Sequence, residues 1–177
     1  MSSGQYQKQA VSVQIRWMIR RDMPEVLKIE NASFEFNWTE EDFLACLRQR
    51  NCIGMVAEAE DRVVGFMIYE LHKNKLNVLN FAVAPHCRRQ GIGTQMIGKL
   101  AAKLTTHRRS KVTLAVRESN LTAQLFFRHQ EFKAVKVLKN FYEDSGEDAF
   151  LMEYRVGSEY DDDGDKPVNR ISRFEKS

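Results

Sequence analysis

The chain has little of the residues that define several whole classes of protein. Three prolines and nine glycines in 177 residues are too few for a collagen-like or disordered polymer. Its three cysteines, Cys46, Cys52 and Cys87, include no CxxC spacing, so neither a disulfide framework nor a zinc site is expected and the thiols are read as reduced. His86 and Cys87 are adjacent rather than at ligand spacing, and His107 and His129 lack nearby carboxylate or thiol partners, so no metal is expected. No apolar run approaches the roughly 18 residues a membrane span needs. The opening MSSGQYQKQA has no apolar core like that of a signal peptide, so the expectation is a cytoplasmic protein with no membrane partner. No internal repeat of solenoid length is visible.

What is present suits one α/β domain. The length matches a single domain, with 43% hydrophobic and 29% charged residues. The formal net charge is +3. Residues 157–177 carry six acids and four bases, a net −2, which leaves +5 on the rest. A mildly basic body suits a small polyanionic ligand as well as it suits nucleic acid. The basic knot of Arg108, Arg109 and Lys111 follows a long helical pattern, where a helix C-terminus favours cations, so no nucleic acid is expected. Residues 1–10 read as an N-terminal extension, 11–156 as the domain, and 157–177 as a polar, flexible tail.

Periodicity supplies the elements. VSVQIRWMI from Val11 to Ile19 alternates as a strand. Asp22 with Glu25 reads as a capping box that opens a helix through about Phe34, with Val26, Leu27, Ile29 and Glu30 inside it. Thr39 with Asp42 caps a second helix, and Phe34 to Trp38 between the two is an aromatic loop. Ile53–Ala59, Val63–Leu71 and Leu76–Val83 form a meander. A helix from Ile92 carries Met96, Ile97, Leu100, Ala101 and Leu104, and Lys111–Val116 returns as a strand. Asn120 starts a helix with Leu121, Leu125 and Phe126 on its apolar side, and Phe132–Leu138 and Phe150–Val156 are the last strands. The order β-α-α-β-β-β-α-β-α-β-β predicts one mixed, mostly antiparallel sheet with helices on both faces.

The chemistry concentrates in Arg88-Arg89-Gln90-Gly91-Ile92-Gly93-Thr94, between a strand and the start of an amphipathic helix. A helix N-terminus offers unpaired N–H groups and partial positive charge, and glycine admits a phosphate close to the backbone. A glycine-assisted helix start with solvated arginines would look the same. The stretch is not a Rossmann fingerprint, which wants a third glycine, nor a Walker loop, which wants GK[ST].

Arg88, Gly91 and Gly93 satisfy [RQ]-x-x-G-x-[GA] directly after Leu79–Val83 and Pro85. Val116–Asn120 matches V-R-x-S-N, Ala123–Phe132 matches the ends of A-x-x-x-Y-x-x-x-G-F, and Lys139–Tyr142 is similar to R-N-Y-Y. Together they resemble the GNAT N-acetyltransferase superfamily. With Phe34–Trp38 resembling A-F-P-W, they are most similar to its protein N-terminal acetyltransferases of the ribosomal-protein-alanine (RimI) type. The resemblance spans roughly Val13 to Val156.

The resemblance implies a splayed central strand pair and acetyl-CoA as co-substrate. It implies that Phe81, Ala82 and Val83 pair with the pantetheine arm, that a backbone amide, that of Val83, holds the thioester oxygen, that Arg88, Arg89, Gln90, Gly91, Ile92, Gly93 and Thr94 hold the pyrophosphate, and that Asn120 contacts the arm, with Phe127 beside it. Asn120 serves equally as an ordinary N-cap. Where the RimI-type pattern has its general base the chain has Ala115, where it has the tyrosine acid the chain has Phe127, and where it has a glycine the chain has Glu131. Alanine and phenylalanine cannot exchange protons, which leaves Tyr142, Glu118, His72 and Glu30 as candidates, Tyr142 first among them. The acceptor is expected to be a protein or peptide N-terminal α-amine; a small-amine acetyltransferase and a degenerate acyl-CoA-binding module acting through a protein partner are the alternatives. Monomer and dimer are both compatible with the sequence.

Overall fold

The computed structural model describes residues 10–106 and 108–157; His107, most of the N-terminal extension and nearly all of the tail lie outside them. The elements are β1 (Gln14–Trp17), α1 (Met23–Ser33), α2 (Glu40–Leu47), β2 (Cys52–Ala59), β3 (Arg62–Leu71), β4 (Lys75–Val83), α3 (Ile92–Thr106), β5 (Lys111–Arg117), α4 (Leu121–His129), β6 (Lys133–Tyr142) and β7 (Glu147–Arg155). Their order is the expected one. The seven strands form one sheet in the order β1-β2-β3-β4-β5-β7-β6. Only β4 and β5 are parallel; every other pair is antiparallel.

Two hydrophobic cores lie on opposite faces. One gathers Met96, Leu100 and Leu104 of α3 and Phe127 of α4 against Met67, Leu76, Leu114 and Met152. The other gathers Val26 and Ile29 of α1 and Phe43 of α2 against Val56, Phe66 and Ile68. Side chains of a strand alternate between faces, so β2 and β3 feed both.

Four local expectations are corrected. The first strand is only Gln14–Trp17, because residues 11–13 leave the sheet to cross the start of α3: Val11 N–H donates to Gln90 O at 3.0 Å, and the Gln95 amide donates to Val11 O and accepts from Val13 N–H. The Asp22–Glu25 box does not form. The Asp22 carboxylate, 4% exposed, accepts from Ile19 N–H and from both ends of the Arg16 guanidinium at 2.8 and 2.9 Å, while Glu25 pairs with Arg62. A buried carboxylate favours a cation over a helix cap, and Pro24, which fits a first helical turn, starts α1 instead. The apolar side of α4 is shifted, since Leu121 and Leu125 are exposed and Gln124 and Phe127 are the buried pair. Gln124 is satisfied there by donating to the carbonyls of Arg117 and Glu118. The strand expected to end at Leu138 runs on through Lys139–Tyr142 as the irregular end of β6: pairing slips between Leu138 and Tyr142, where Asn140 takes φ 50° and Asp148 accepts its N–H.

The box on α2 forms as expected, with Thr39 and Asp42 each accepting from the other's backbone N–H.

Candidate active site

The sheet opens at its parallel pair. β4 and β5 stay paired from Lys75↔Lys111 to Val78↔Leu114 and then separate, although β4 runs on to Val83 and β5 to Arg117. The split begins at a β-bulge, where Tyr69 opposes Val78, Ile68 opposes Asn80 and Leu79 is the extra residue. An inserted residue reverses the face pattern beyond it. Leu76 and Val78 accordingly belong to the α3/α4 core, whereas Leu79 and Ala82 belong to the α1/α2 core. Asn80 follows them and donates its amide to Glu30 of α1 at 2.9 Å.

Beyond the bulge, β4 has a free edge. Ala84 N–H bonds Val64 O at 2.8 Å beside the pair Gly65↔Val83, which makes that pair the non-hydrogen-bonded type of an antiparallel ladder. By alternation Phe81 and Val83 turn their N–H and C=O groups toward the gap, and Ala82 turns its own to β3. Ala82 therefore cannot pair with a third strand-like ligand, and the expectation that it would is corrected to Phe81 and Val83. The Val83 carbonyl accepts from Arg88 Nε at 3.0 Å, and Arg88 Nη2 reaches Ser33 Oγ at the end of α1.

Arg88 to Gly91 form the turn into α3. Arg89 has φ 60° and Gly91 φ 80°, left-handed values that suit glycine. The first intrahelical bond runs from Gln95 N–H to Gly91 O at 3.1 Å, so the N–H groups of Ile92, Gly93 and Thr94 precede the helix's own acceptors. Gly93 is glycine for a packing reason that the sequence did not reveal: a Cβ there would lie 3.0 Å from Phe126 Cζ. Gln90 and Thr94 are engaged within the protein, through His86 O and the Gln130 amide.

The gap is a cleft of about 620 Å³ reaching both faces of the sheet. Asn120, Ala123 and Phe127 line it on the α4 side; Glu30, Phe34, Phe36, Trp38, Tyr142 and Asp144 line it on the other. Asn120 is the N-cap of α4, its Oδ1 accepting from Ala123 N–H at 3.1 Å. Phe127 is buried within a run of ring contacts that includes Phe81, Phe126 and Phe132. Val112, Leu114 and Val116 face the α3/α4 core, so Ala115 and Arg117 face the α1/α2 side by alternation.

Arg117 joins the two sides of the cleft mouth. Its guanidinium lies 3.8 Å from the Tyr142 ring centroid and 5.0 Å from that of Phe36, and it pairs with Asp144 at 2.7 Å and Glu147 at 3.3 Å. Bonds from Arg117 hold the Asp144 carboxyl below the usual carboxylate range. The Tyr142 hydroxyl donates to Ala115 O at 3.3 Å; burial raises its pKa, and the Arg117 charge opposes that rise.

The other proton-transfer candidates divide. Glu30 lies in the cleft wall, and burial raises its pKa against the bonds from Trp38 N–H and Asn80. Glu118 sits in the turn before α4 and is exposed, and His72 pairs with Glu70 at 2.9 Å beyond the end of β3; neither lines the cleft. Asn80, Arg117 and Asp144 were missed as wall residues. The alternation of β5 could have found Arg117, but the bulge that turns Asn80 has no signature in the sequence.

Among the described residues no helix is long and apolar enough to cross a membrane, and no cluster of three His, Cys, Asp or Glu residues could hold a metal ion.

The sequence profile of the acetyltransferase (GNAT) family matches residues 17–132. An N-alpha-acetyltransferase of Sulfolobus acidocaldarius is 28% identical over 158 residues, covering 82% of this chain and 94% of the relative. The [ribosomal protein bS18]-alanine N-acetyltransferase of Salmonella typhimurium is 28% identical over 133 residues, covering 74% and 89%. Among solved structures, Ard1 from Thermoplasma volcanium superposes with a TM-score of 0.76 at 26% identity, covering 84% of this chain and all of the other.

Proposed function

The chain belongs to the acetyltransferase (GNAT) family, and from that premise we propose that it moves the acetyl group of acetyl-CoA to the N-terminal α-amine of a protein or peptide by direct attack. The observation that carries this reading is the divided β4–β5 pair, with a free strand edge inside the cleft and a helix N-terminus at one end. The residues fit the co-substrate. The N–H groups of Ile92, Gly93 and Thr94, with Arg88 and Arg89, suit a pyrophosphate. Phe81 and Val83 offer an edge that no strand pairs with, which suits the amides of a pantetheine arm. Asn120 lines the same passage with its amide oxygen taken by Ala123 N–H, and Phe127 supplies an apolar wall.

Acetyl-CoA, when bound, supplies an activated acetyl thioester; the protein's part is to position it. Val83 N–H is the donor for the oxygen on which negative charge grows. Across the sheet Phe36, Arg117 and Tyr142 frame the acceptor's entry, where the Tyr142 hydroxyl, anchored on Ala115 O, orients the amine. Ala115 and Phe127 occupy the positions where the family resemblance would have a base and an acid, and neither exchanges protons. An α-amine tolerates this better than a lysine does, because about 10–20% of it is neutral at pH 7 against less than about 0.1% for lysine. The activities named for the archaeal and ribosomal-protein relatives support the same acceptor class.

Calorimetric titration with acetyl-CoA tests the binding half. Gly91→Val puts a β-branched residue at φ 80° and is expected to weaken binding about tenfold or more, given the roughly 1–2 kcal/mol cost of left-handed backbone; unchanged affinity would remove the loop from the site. Thiol release over a panel of peptides and small amines tests the transfer half. Turnover that requires a peptide acceptor supports the reading. Binding without turnover on any acceptor favours a non-catalytic acyl-CoA module, and turnover on small amines alone favours the small-amine reading.

A further inference from the structure

Glu30 is 1% exposed, and both of its hydrogen-bond partners are neutral. Oε1 accepts from Trp38 N–H at 2.7 Å and Oε2 from Asn80 Nδ2 at 2.9 Å. Among the described residues it forms no ion pair, unlike the equally enclosed Asp22, which has Arg16. A buried carboxylate without a cation is destabilising. Yet Glu30 borders the cleft, close to the bulge and across the gap from Ala115, so its missing cation can arrive from outside. The acceptor of the proposed reaction brings one, since an α-amine is mostly ammonium at neutral pH.

We propose that Glu30 receives the acceptor's α-ammonium and takes its proton, an assignment that rests on the acetyl-transfer reading above. The proton passes to a Glu30 oxygen directly or through one water. The freed nitrogen lone pair forms the C–N bond as the C–S bond breaks, the second amine proton leaves with the thiol, and the Glu30 proton returns to solvent. The net release is one proton per acetyl transferred.

The surroundings suit this role. At the ends of α1, Glu25 is paired with Arg62 and Asp22 with Arg16, and Arg88 is bonded to Ser33. β4 presents neutral Asn80, and β3 presents apolar Phe66 and Ile68 to the α1 core. Glu35, Tyr142, Asp144 and Arg117 also line the cleft, the last already held by Asp144 and Glu147. Burial raises the Glu30 pKa, which makes it a stronger base than an exposed glutamate.

Glu30→Gln is close to isosteric: the new carbonyl can accept from Trp38 N–H, and Asn80 can rotate its amide to accept from the new NH₂. Two readouts are taken on this variant, on Glu30→Asp and on the wild type. The first is calorimetric affinity of the CoA-loaded protein for a peptide and for its analogue lacking the α-amine. The wild type is expected to favour the ammonium by about tenfold and Glu30→Gln to bind both alike. The second is the pH dependence of kcat/KM with two peptides of different α-amine pKa. The wild type is expected to show an inflection that stays in place when the peptide changes. Glu30→Gln loses it, with kcat/KM near pH 7 down by about 100-fold, and Glu30→Asp retains it. Loop anchoring alone would lower activity without removing an inflection. Turnover that Glu30→Gln leaves within about threefold of wild type, or an ammonium preference that survives it, overturns this assignment alone. A wild type that acetylates no peptide overturns the acetyl-transfer reading and this assignment with it.

Discussion

Asp22 and Glu30 lie eight positions apart, one at the start of α1 and one inside it, and both are almost fully enclosed. Arg16 meets the first, and among the described residues no side-chain cation meets the second. Bonds from Arg16, then from Ile19 N–H, hold the Asp22 carboxyl below the usual carboxylate range against the opposing effect of burial. A depressed folded-state pKa means that the native protein binds the proton less readily than the unfolded chain does. The stabilisation is therefore complete above the unfolded value, about 3.9, and is lost as pH falls through the lower folded value. Asp22→Asn is expected to cost about 2 kcal/mol at pH 7, with the gap to wild type narrowing under acid. Denaturant melts at pH 7 and at pH 3 check this, and an equal gap at both would show that the charge is not responsible.

At the level of elements, α3 carries two glycines with opposite consequences. A Cβ at Gly93 would meet Phe126 at 3.0 and 3.2 Å and Phe81 at 3.5 Å, whereas one at Gly98 meets nothing within 4 Å. Gly93→Ala is expected to destabilise by about 1–2 kcal/mol through overpacking and to weaken acetyl-CoA binding, because Phe81 belongs to the free edge of β4. Gly98→Ala, on the exposed side of the same helix, is expected to stabilise by up to about 1 kcal/mol. Thermal melts of the two variants decide it; the same sign for both would remove the packing account of Gly93. The β4 bulge acts at this scale too. One extra residue, Leu79, parts the strand from β5 and brings the Asn80 amide to Glu30, so the opening of the cleft and the environment of its buried carboxylate share one cause.

The whole molecule couples the two halves of the site through shared elements. The two cores have β2, β3 and β4 in common, so the domain is expected to unfold in one cooperative step. Acetyl-CoA would touch the α3 turn, the β4 edge and α4, which exist together only in the folded chain. At a free concentration of about 100 times Kd it should add about 2.7 kcal/mol to stability. Scanning calorimetry should show a single transition that moves upward with acetyl-CoA. A second transition, or one that ignores the ligand, would contradict the coupling.

Periodicity and local signals by themselves determined the order of the elements, the Thr39–Asp42 cap and the glycine-bearing turn ahead of α3, because each depends on neighbours within a few positions. The joint motifs from Arg88 to Tyr142 identified the family for the same reason. They did not determine the partner of Asp22, the buried side of α4, the packing need at Gly93 or the face of Asn80. Those depend on residues far apart in the chain: Arg16 against Asp22 in competition with a local cap, Phe126 against Gly93 across two helices, and a one-residue slip between β3 and β4. Composition could name Glu30 as one acid among 24; only the tertiary structure decided that it would be enclosed in the cleft wall with two neutral donors, because the enclosure is made by Trp38 and Asn80, which folding brings to it from a loop and a strand.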